Sequence, residues 1–516
     1  MDSVLQILAG SVVAGVAIYV VHRLLTGPKN LPPGPFAWPI IGALPSISAY
    51  PQRSLLKLSE KYGPIMSVWF GQKLVIVATS PEAATEFLRT QDANFCSRPK
   101  HQVCAILMPH DITFSDVTPH TKFLRKLVQG QFSTSKRMEE AQGLRAAEFA
   151  HLVRSIPTDG PVSVMLPIST SMWNFFSQLV LSKRLLQPAS YEEAVSSAKP
   201  GVGDAEKLRD LMTMTADIDR CIGTFNAGDF IPACKSWNVQ GLEGRFQRFR
   251  QKMDAFVAVI IHERLTARAA AGAAYESKDY LDALLDEVDQ KNNEIDLTTV
   301  RSMIWEIFAA GMETNIASTE WAMSELVANP DVMAKAQAEL DAVVGKDRLV
   351  HDRDMVNLPY IKAIVKESMR FHPPIAFLPR KAIQATKAFG YDIPEGANVF
   401  VNMWGMGRLA SIYPEPLRFN PDRFLPGGSN ANLDLQGQSF ELLPFGSGRR
   451  ICPGLPVGYN MVQTGVATLL HAFSWTAPEN HSLMEGVGAA TLYKGTPLKA
   501  LAQPRLAPHL YTPLER

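Results

Sequence analysis

The chain has 516 residues, with 51 basic and 50 acidic side chains, a formal net charge of +1 at pH 7 and 46% hydrophobic residues. That balance lacks the basic footprint of a nucleic-acid binder, so no nucleic acid is expected as a partner, while the apolar share is ample for a large core. The five cysteines (Cys96, Cys104, Cys221, Cys234 and Cys452) show neither paired spacing nor a CxxC, which argues against a disulfide framework or zinc site and for a reducing compartment.

From Val4 to Val21 the chain is apolar apart from Gln6, Ser11 and small residues, just long enough to span a bilayer. Positive charge follows this run at Arg23 and Lys29 rather than preceding it, unlike a cleavable signal peptide. Residues 1–30 are therefore predicted to be an N-terminal transmembrane anchor with the rest of the chain on the cytosolic side; a buried core helix is the alternative. Leu31-Pro32-Pro33-Gly34-Pro35 then fixes an extended backbone and reads as a stiff hinge. No linker or composition break divides residues 31–516, which are expected to form one catalytic domain.

Two β-branched-rich runs, Ile65–Phe70 and Leu74–Thr79, flank Gly71-Gln72-Lys73 and predict a hairpin. Helices are expected at Pro81–Thr90, Arg137–Ser155 and Gly244–Ala271, so the fold class is mainly α with small β-sheets. Residues 97–119 show little periodicity and suit a loop that lines a pocket or plain surface. The longest helical stretch runs from a Thr298 cap to Asn329, stopped by Pro330. Within it stand Ala310-Gly311-Met312-Glu313-Thr314; a mid-helix glycine costs about 1 kcal/mol, and close approach of a flat cofactor is one reason to keep it. An acid beside a hydroxyl, Glu313-Thr314, suits stepwise proton delivery. Read alone, the same pair is better explained as an ordinary exposed glutamate and an internal threonine bonded back to a carbonyl.

Glu367 and Arg370 stand at i and i+3 on one helical face. His372-Pro373-Pro374-Ile375-Ala376-Phe377-Leu378-Pro379-Arg380 then breaks into an extended segment. Near the C-terminus, Phe445-Gly446-Ser447-Gly448-Arg449-Arg450-Ile451-Cys452-Pro453-Gly454 sets a thiol among glycines and arginines. Such surroundings favour a thiolate, and Arg450 can reach a carboxylate on whatever the sulfur binds.

This ten-residue run resembles the haem-thiolate loop of the cytochromes P450, in its Phe, two Gly, Arg, Cys and final Gly. The resemblance implies the cytochrome P450 fold and haem b with Cys452 as the axial thiolate ligand, with Phe445 and Arg450 in contact with the cofactor. Ala310–Thr314 resembles the family's oxygen-activation motif, with Asn315 where Thr or Ser is commoner; this implies catalytic Glu313 and Thr314, and Gly311 against the haem. Glu367 and Arg370, with Arg423 in Phe419-Asn420-Pro421-Asp422-Arg423-Phe424, resemble the family's buried Glu-Arg-Arg triad. Arg125 and Arg380 fall where the family places haem-propionate partners, although Thr121 stands where a Trp is usual; a solvated basic helix face is the alternative for Arg125.

By the same likeness the pocket residues are Ile106, Phe308, Ala309, Ile375, Phe377 and Leu492, the segment at 375–378 being one residue shorter than in many plant members. Gly228–Pro232 resembles a segment over the pocket, near the membrane. The anchor and hinge are similar to those of microsomal members in the endoplasmic reticulum membrane. The implied reaction inserts one oxygen atom of O2 into a small apolar or phenolic substrate. Its electrons come from NADPH through a separate reductase, because no flavin-binding region is present. Lys126, Lys136 and Arg449 are candidates for docking that reductase or belong to an ordinary solvated face. Motifs such as Glu320–Leu326, Asn357–Tyr360 and Gly390–Pro394 resemble phenylpropanoid meta-hydroxylases acting on p-coumaroyl esters, aldehydes or alcohols. The alternatives are a hydroxylase of a flavonoid, terpenoid or amino-acid derivative, or a reductase-independent haem-thiolate isomerase.

Overall fold

A computed structural model describes residues 27–186, 204–238, 240–290, 295–477 and 482–512. The predicted membrane anchor lies outside them, and no helix among the described residues is long and apolar enough to cross a membrane. The chain forms two compact units, each assembled from discontiguous segments, which is why no composition break marks them in residues 31–516.

Among the described residues, the smaller unit comprises residues 27–99, Asn226–Gly241 and Phe377–Met406. Its sheet contains β1 (Ile65–Phe70), β2 (Lys73–Ala78), β3 (Phe377–Lys381) and β4 (Asn398–Asn402), in the order β1-β2-β4-β3. β1 and β2 are the predicted hairpin, in register from Ile65 opposite Ala78 to Phe70 opposite Lys73, and β2 runs parallel to β4. Gly71 turns the hairpin at φ 57°, and a Cβ there would meet the Phe230 carbonyl oxygen at 2.7 Å. The Gln72 N–H donates to that same oxygen at 2.9 Å, so the Gly228–Pro232 stretch is pinned across the hairpin tip. That stretch is split between two short helices, Ala227–Phe230 and Pro232–Trp237. The helix expected over Pro81–Thr90 starts as an α-helix, capped by the Ser80 side chain, and widens into a π turn at Glu86–Thr90.

The larger unit is a helical body. Its helices are α1 (Gln102–Leu107), α2 (Pro119–Phe132), α3 (Ser135–Ser155), α4 (Met165–Leu181), α5 (Asp204–Gly223), α6 (Leu242–Ala271), α7 (Tyr280–Asp289), α8 (Leu297–Ala328), α9 (Pro330–Val343), α10 (Pro359–Phe371) and α11 (Leu455–Ala472). Phe473–Thr476, Lys499–Pro504 and Pro161–Ser163 form a small antiparallel sheet beside them. α1 lies inside the stretch read as a loop; its six residues are too few turns for a periodicity to show. The cap of α8 stands two residues earlier than predicted, because the Asp296 carboxylate, not Thr298, caps it by accepting from the Thr299 N–H at 2.7 Å and the Thr299 hydroxyl at 2.8 Å.

α8 is buried along most of its length and packs against α4, α5 and α11. Gly311 owes its small size in this structure to α4: a Cβ there would stand 3.0 Å from the Phe176 ring. Phe308, expected to line the pocket, is instead a core residue. Its ring lies 5.2 Å from that of Trp173 and 6.0 Å from that of Trp305, and no part of it is exposed.

Candidate active site

The Cys452 loop is shaped by two glycines in the left-handed region, Gly446 at φ 73° and Gly448 at φ 67°. The Cys452 N–H donates to the Phe445 carbonyl at 2.8 Å, which closes the loop and leaves Cys452 as a residue half-buried. Burial pushes the thiol above its ordinary value, while a hydrogen bond from the Gly454 N–H and the charge of Arg125 pull the other way. α11 starts directly after, with proline in its first turn, so the loop is braced by an 18-residue helix. Arg125, from α2, donates to the Ile451 carbonyl next to the sulfur. Thr121, standing one turn earlier, completes the cap that Thr118 provides for α2: its hydroxyl accepts from the Thr118 N–H at 2.8 Å while Thr118 accepts from the Thr121 N–H, a reciprocal box.

Arg450 is buried and donates to the carbonyls of Ile112, at 3.0 Å, and Ser115. The segment it grips is held from a second side by Glu306 of α8, which accepts from the Ile112 N–H at 2.9 Å and the Thr113 hydroxyl at 2.6 Å. Asp111 in turn accepts from the Phe114 and Ser115 N–H groups at 3.1 and 3.0 Å. Burial, and for Glu306 also the charge of Asp111, pushes both carboxyls above the usual carboxylate range. Sequence reasoning missed this pair; the available signal was a lone acid inside the apolar Met303–Phe308 run.

In the middle of α8, Ile307, Ala310, Gly311 and Thr314 are not fully buried and stand three and four apart on one face. Ala309 is half-buried beside them. The Thr314 hydroxyl donates back to the Ala310 carbonyl at 2.7 Å, and the Asn315 amide does the same to Gly311. Glu313 points to other partners: it is 4% exposed and accepts from the hydroxyls of Tyr493 and Thr215. No hydrogen bond joins the Glu313 and Thr314 side chains, as expected for consecutive helical residues, which face different directions. Burial pushes Glu313 up to about 7 against those hydrogen bonds.

Glu367 accepts from Arg370 at 2.6 and 2.8 Å and from Arg423 at 3.1 Å, with all three side chains buried. The two arginines also donate to backbone carbonyls of the 407–418 stretch, including Pro416 at 2.9 Å and Pro414 at 3.0 Å. Of the other expected pocket residues, Ile106 is half-buried on α1, Leu492 is buried and Ile375 is 41% exposed. Leu492 lies in a turn that Trp321 holds by donating its indole N–H to the Leu492 carbonyl at 2.7 Å. Trp321 stacks on His372 at 3.8 Å, and His372 pairs with Glu325 at 2.7 Å. Phe377 and Arg380 belong to β3 of the smaller unit, where Phe377 packs 5.7 Å from Phe400 and Arg380 is fully buried.

A thiol with a backbone N–H aimed at its sulfur, a guanidinium group beside it and a second two residues away is a donor set that fits an iron porphyrin with anionic edges. Residues 32–493 match the family model for cytochrome P450. The chain belongs to that family. A flavonoid 3',5'-hydroxylase of Crocosmia x crocosmiiflora is 35% identical to this cytochrome P450 over 99% of each chain. A flavonoid 3'-monooxygenase of Petunia hybrida is 34% identical over 94% of each, and a 3,9-dihydroxypterocarpan 6A-monooxygenase of Glycine max is 34% identical over 93% of this chain and 94% of its own. A zebra fish cytochrome P450 solved with progesterone superposes with a TM-score of 0.72 at 25% identity, covering 88% of this chain and 99% of that one. The protein is a cytochrome P450 monooxygenase, of the haem-thiolate type that the family implies.

Proposed function

We propose that this P450 hydroxylates the B ring of a flavonoid or a closely related plant polyphenol, next to an existing hydroxyl group. The observation that carries the reading is that full-length relatives from separate plants bear flavonoid hydroxylase names. The p-coumaroyl ester preference read from local motifs has no counterpart among the relatives described above, so the flavonoid alternative replaces it.

In this reading Cys452 holds haem b, with Arg125 and Arg450 as cationic partners of its propionates and Phe445 beside it. The chemistry a haem supplies when bound is reductive activation of dioxygen, one atom entering the substrate and the other leaving as water. Glu313, poised near neutrality, stores the proton that this chemistry consumes. The Thr314 hydroxyl relays it from the open face of α8. Because their side chains do not touch, the proton crosses by a water or a side-chain rotation.

Ile307 and Ala310 offer an apolar, uncharged wall, which suits a neutral planar ring better than a free acid, since burying an unpaired carboxylate is costly. Electrons come from NADPH through a separate reductase that docks on exposed basic residues such as Lys126, Lys136 and Arg449. Residues 1–30 anchor the enzyme in the endoplasmic reticulum membrane. The test is turnover by the full-length protein with added reductase on flavanones, flavones, p-coumaroyl esters and p-coumarate. New hydroxyl groups on flavonoid B rings are expected; preferential turnover of the p-coumaroyl compounds would overturn the reading.

A further inference from the structure

Opposite α8, the C-terminal turn Ala490–Tyr493 is fixed from three directions. Asp219 of α5 takes the Ala490 N–H on its carbonyl at 3.2 Å, and its carboxylate takes the Thr491 N–H at 3.0 Å and hydroxyl at 2.8 Å. The Leu492 N–H donates to Pro374 at 2.8 Å, and Trp321 of α8 holds the Leu492 carbonyl. At the end of α5, Gly223 leaves the space this turn needs: a Cβ there would come within 2.2 Å of the Ala489 backbone. The result of this bracing is that the Tyr493 hydroxyl is delivered onto the Glu313 carboxylate.

We propose that Tyr493 is a positioning residue for proton delivery, its hydroxyl orienting the Glu313 carboxyl and fixing how firmly that group keeps its proton. The proposal rests on the reading of Glu313 as the proton-storing acid. Burial and the charge of Glu313 hold the Tyr493 phenol well above its ordinary range, so the tyrosine acts as a donor throughout the working pH. The groups facing Glu313 are few. α5 contributes the Thr215 hydroxyl, the Asp219 carboxyl, which favours the protonated acid, and Arg220, which opposes it. The turn contributes Tyr493, and Glu320 further along α8 acts on the tyrosine. Tyr493 and Thr215 therefore provide the hydrogen bonds that stabilise the Glu313 anion. Removing one lets the carboxyl keep its proton to higher pH.

The experiment compares full-length wild type, E313Q, Y493F and T215V. One readout is product formed per NADPH across pH; the other, independent of turnover, is an infrared pH titration of the carboxyl band that E313Q removes. Y493F is expected to keep the haem content and the thiolate signature of the reduced carbon monoxide spectrum. Its infrared midpoint should rise by at least about one pH unit, the alkaline fall in coupling should move with it, and the coupling plateau should drop. T215V should shift the band in the same direction and serves if Y493F does not fold. A Glu313 band unmoved in both variants would overturn the role of Tyr493 while leaving Glu313 as the acid. Unchanged coupling in E313Q would overturn that reading of Glu313 and this inference with it.

Discussion

Two glutamates lie buried in the helical unit among opposite company. Glu367 faces the guanidinium groups of Arg370 and Arg423, whereas Glu313 faces the hydroxyls of Tyr493 and Thr215. A carboxylate compensated by two fixed cations, which themselves tie down the 407–418 backbone, is an anchor for the chain that leads into the Cys452 loop. A carboxylate compensated by neutral donors pays its desolvation in proton affinity and becomes a group that exchanges a proton near neutrality. Burial alone does not set how firmly a carboxyl keeps its proton; the charge of its partners does.

The largest effect lies outside both glutamates. Cys452→Ala removes the sulfur donor of the loop, so the thiolate signature of the reduced carbon monoxide spectrum and all turnover are expected to vanish. Among the two acids, Glu367→Gln should be the more damaging to the fold. It strands two buried guanidinium groups, and a loss of about 3–5 kcal/mol in denaturant unfolding, with poor haem retention, is expected. A loss under about 1 kcal/mol would show that Glu367 is no anchor.

Glu313→Gln should behave in the contrary way. Its folded carboxyl titrates at about 7 against an ordinary 4.5, so the proton it carries favours the folded state at low pH, and that contribution is lost as pH rises through about 7. The glutamine variant lacks this loss. Its unfolding midpoint relative to wild type should therefore climb between pH 5 and pH 8, and a pH-independent difference would refute the shift.

Smaller effects probe the surroundings of the open α8 face. Gly311→Ala should cost about 1–3 kcal/mol by crowding the Phe176 ring, and Phe176→Leu in the same chain should recover part of it; equal losses in single and double variants would mean the ring is not the obstacle. Thr118→Ala, which opens the box at the start of α2, should cost about 1 kcal/mol in thermal unfolding and loosen Arg125 beside the sulfur.

What was legible in the sequence is what depends on neighbours in the chain. The hairpin at Ile65–Ala78, the helix about Gly311 and the loop ending at Cys452 each follow from turn residues, apolar runs or a motif within ten or so positions. Misreadings arose where a local pattern has two solutions. Phe308 and Ala310 lie two residues apart on one helix, and only the packing of Trp173 decided that the phenylalanine enters the core while the alanine stays open. Thr298 and Asp296 are both acceptable caps, and the carboxylate prevailed because it accepts two bonds from Thr299.

The sequence by itself determined the family, the motifs in which Cys452, Glu313 and Thr314 stand and the members of the Glu-Arg-Arg cluster, because each is written in short motifs whose chemistry is local. Only the tertiary structure decided the company those residues keep. Glu306 beside residues 111–113, Arg450 on the Ile112 and Ser115 carbonyls, and Tyr493 on Glu313 join positions separated by 180 to 338 residues. No periodicity or spacing encodes such pairs, since they form when separate helices and turns bury their polar groups against one another and each buried group must find a partner.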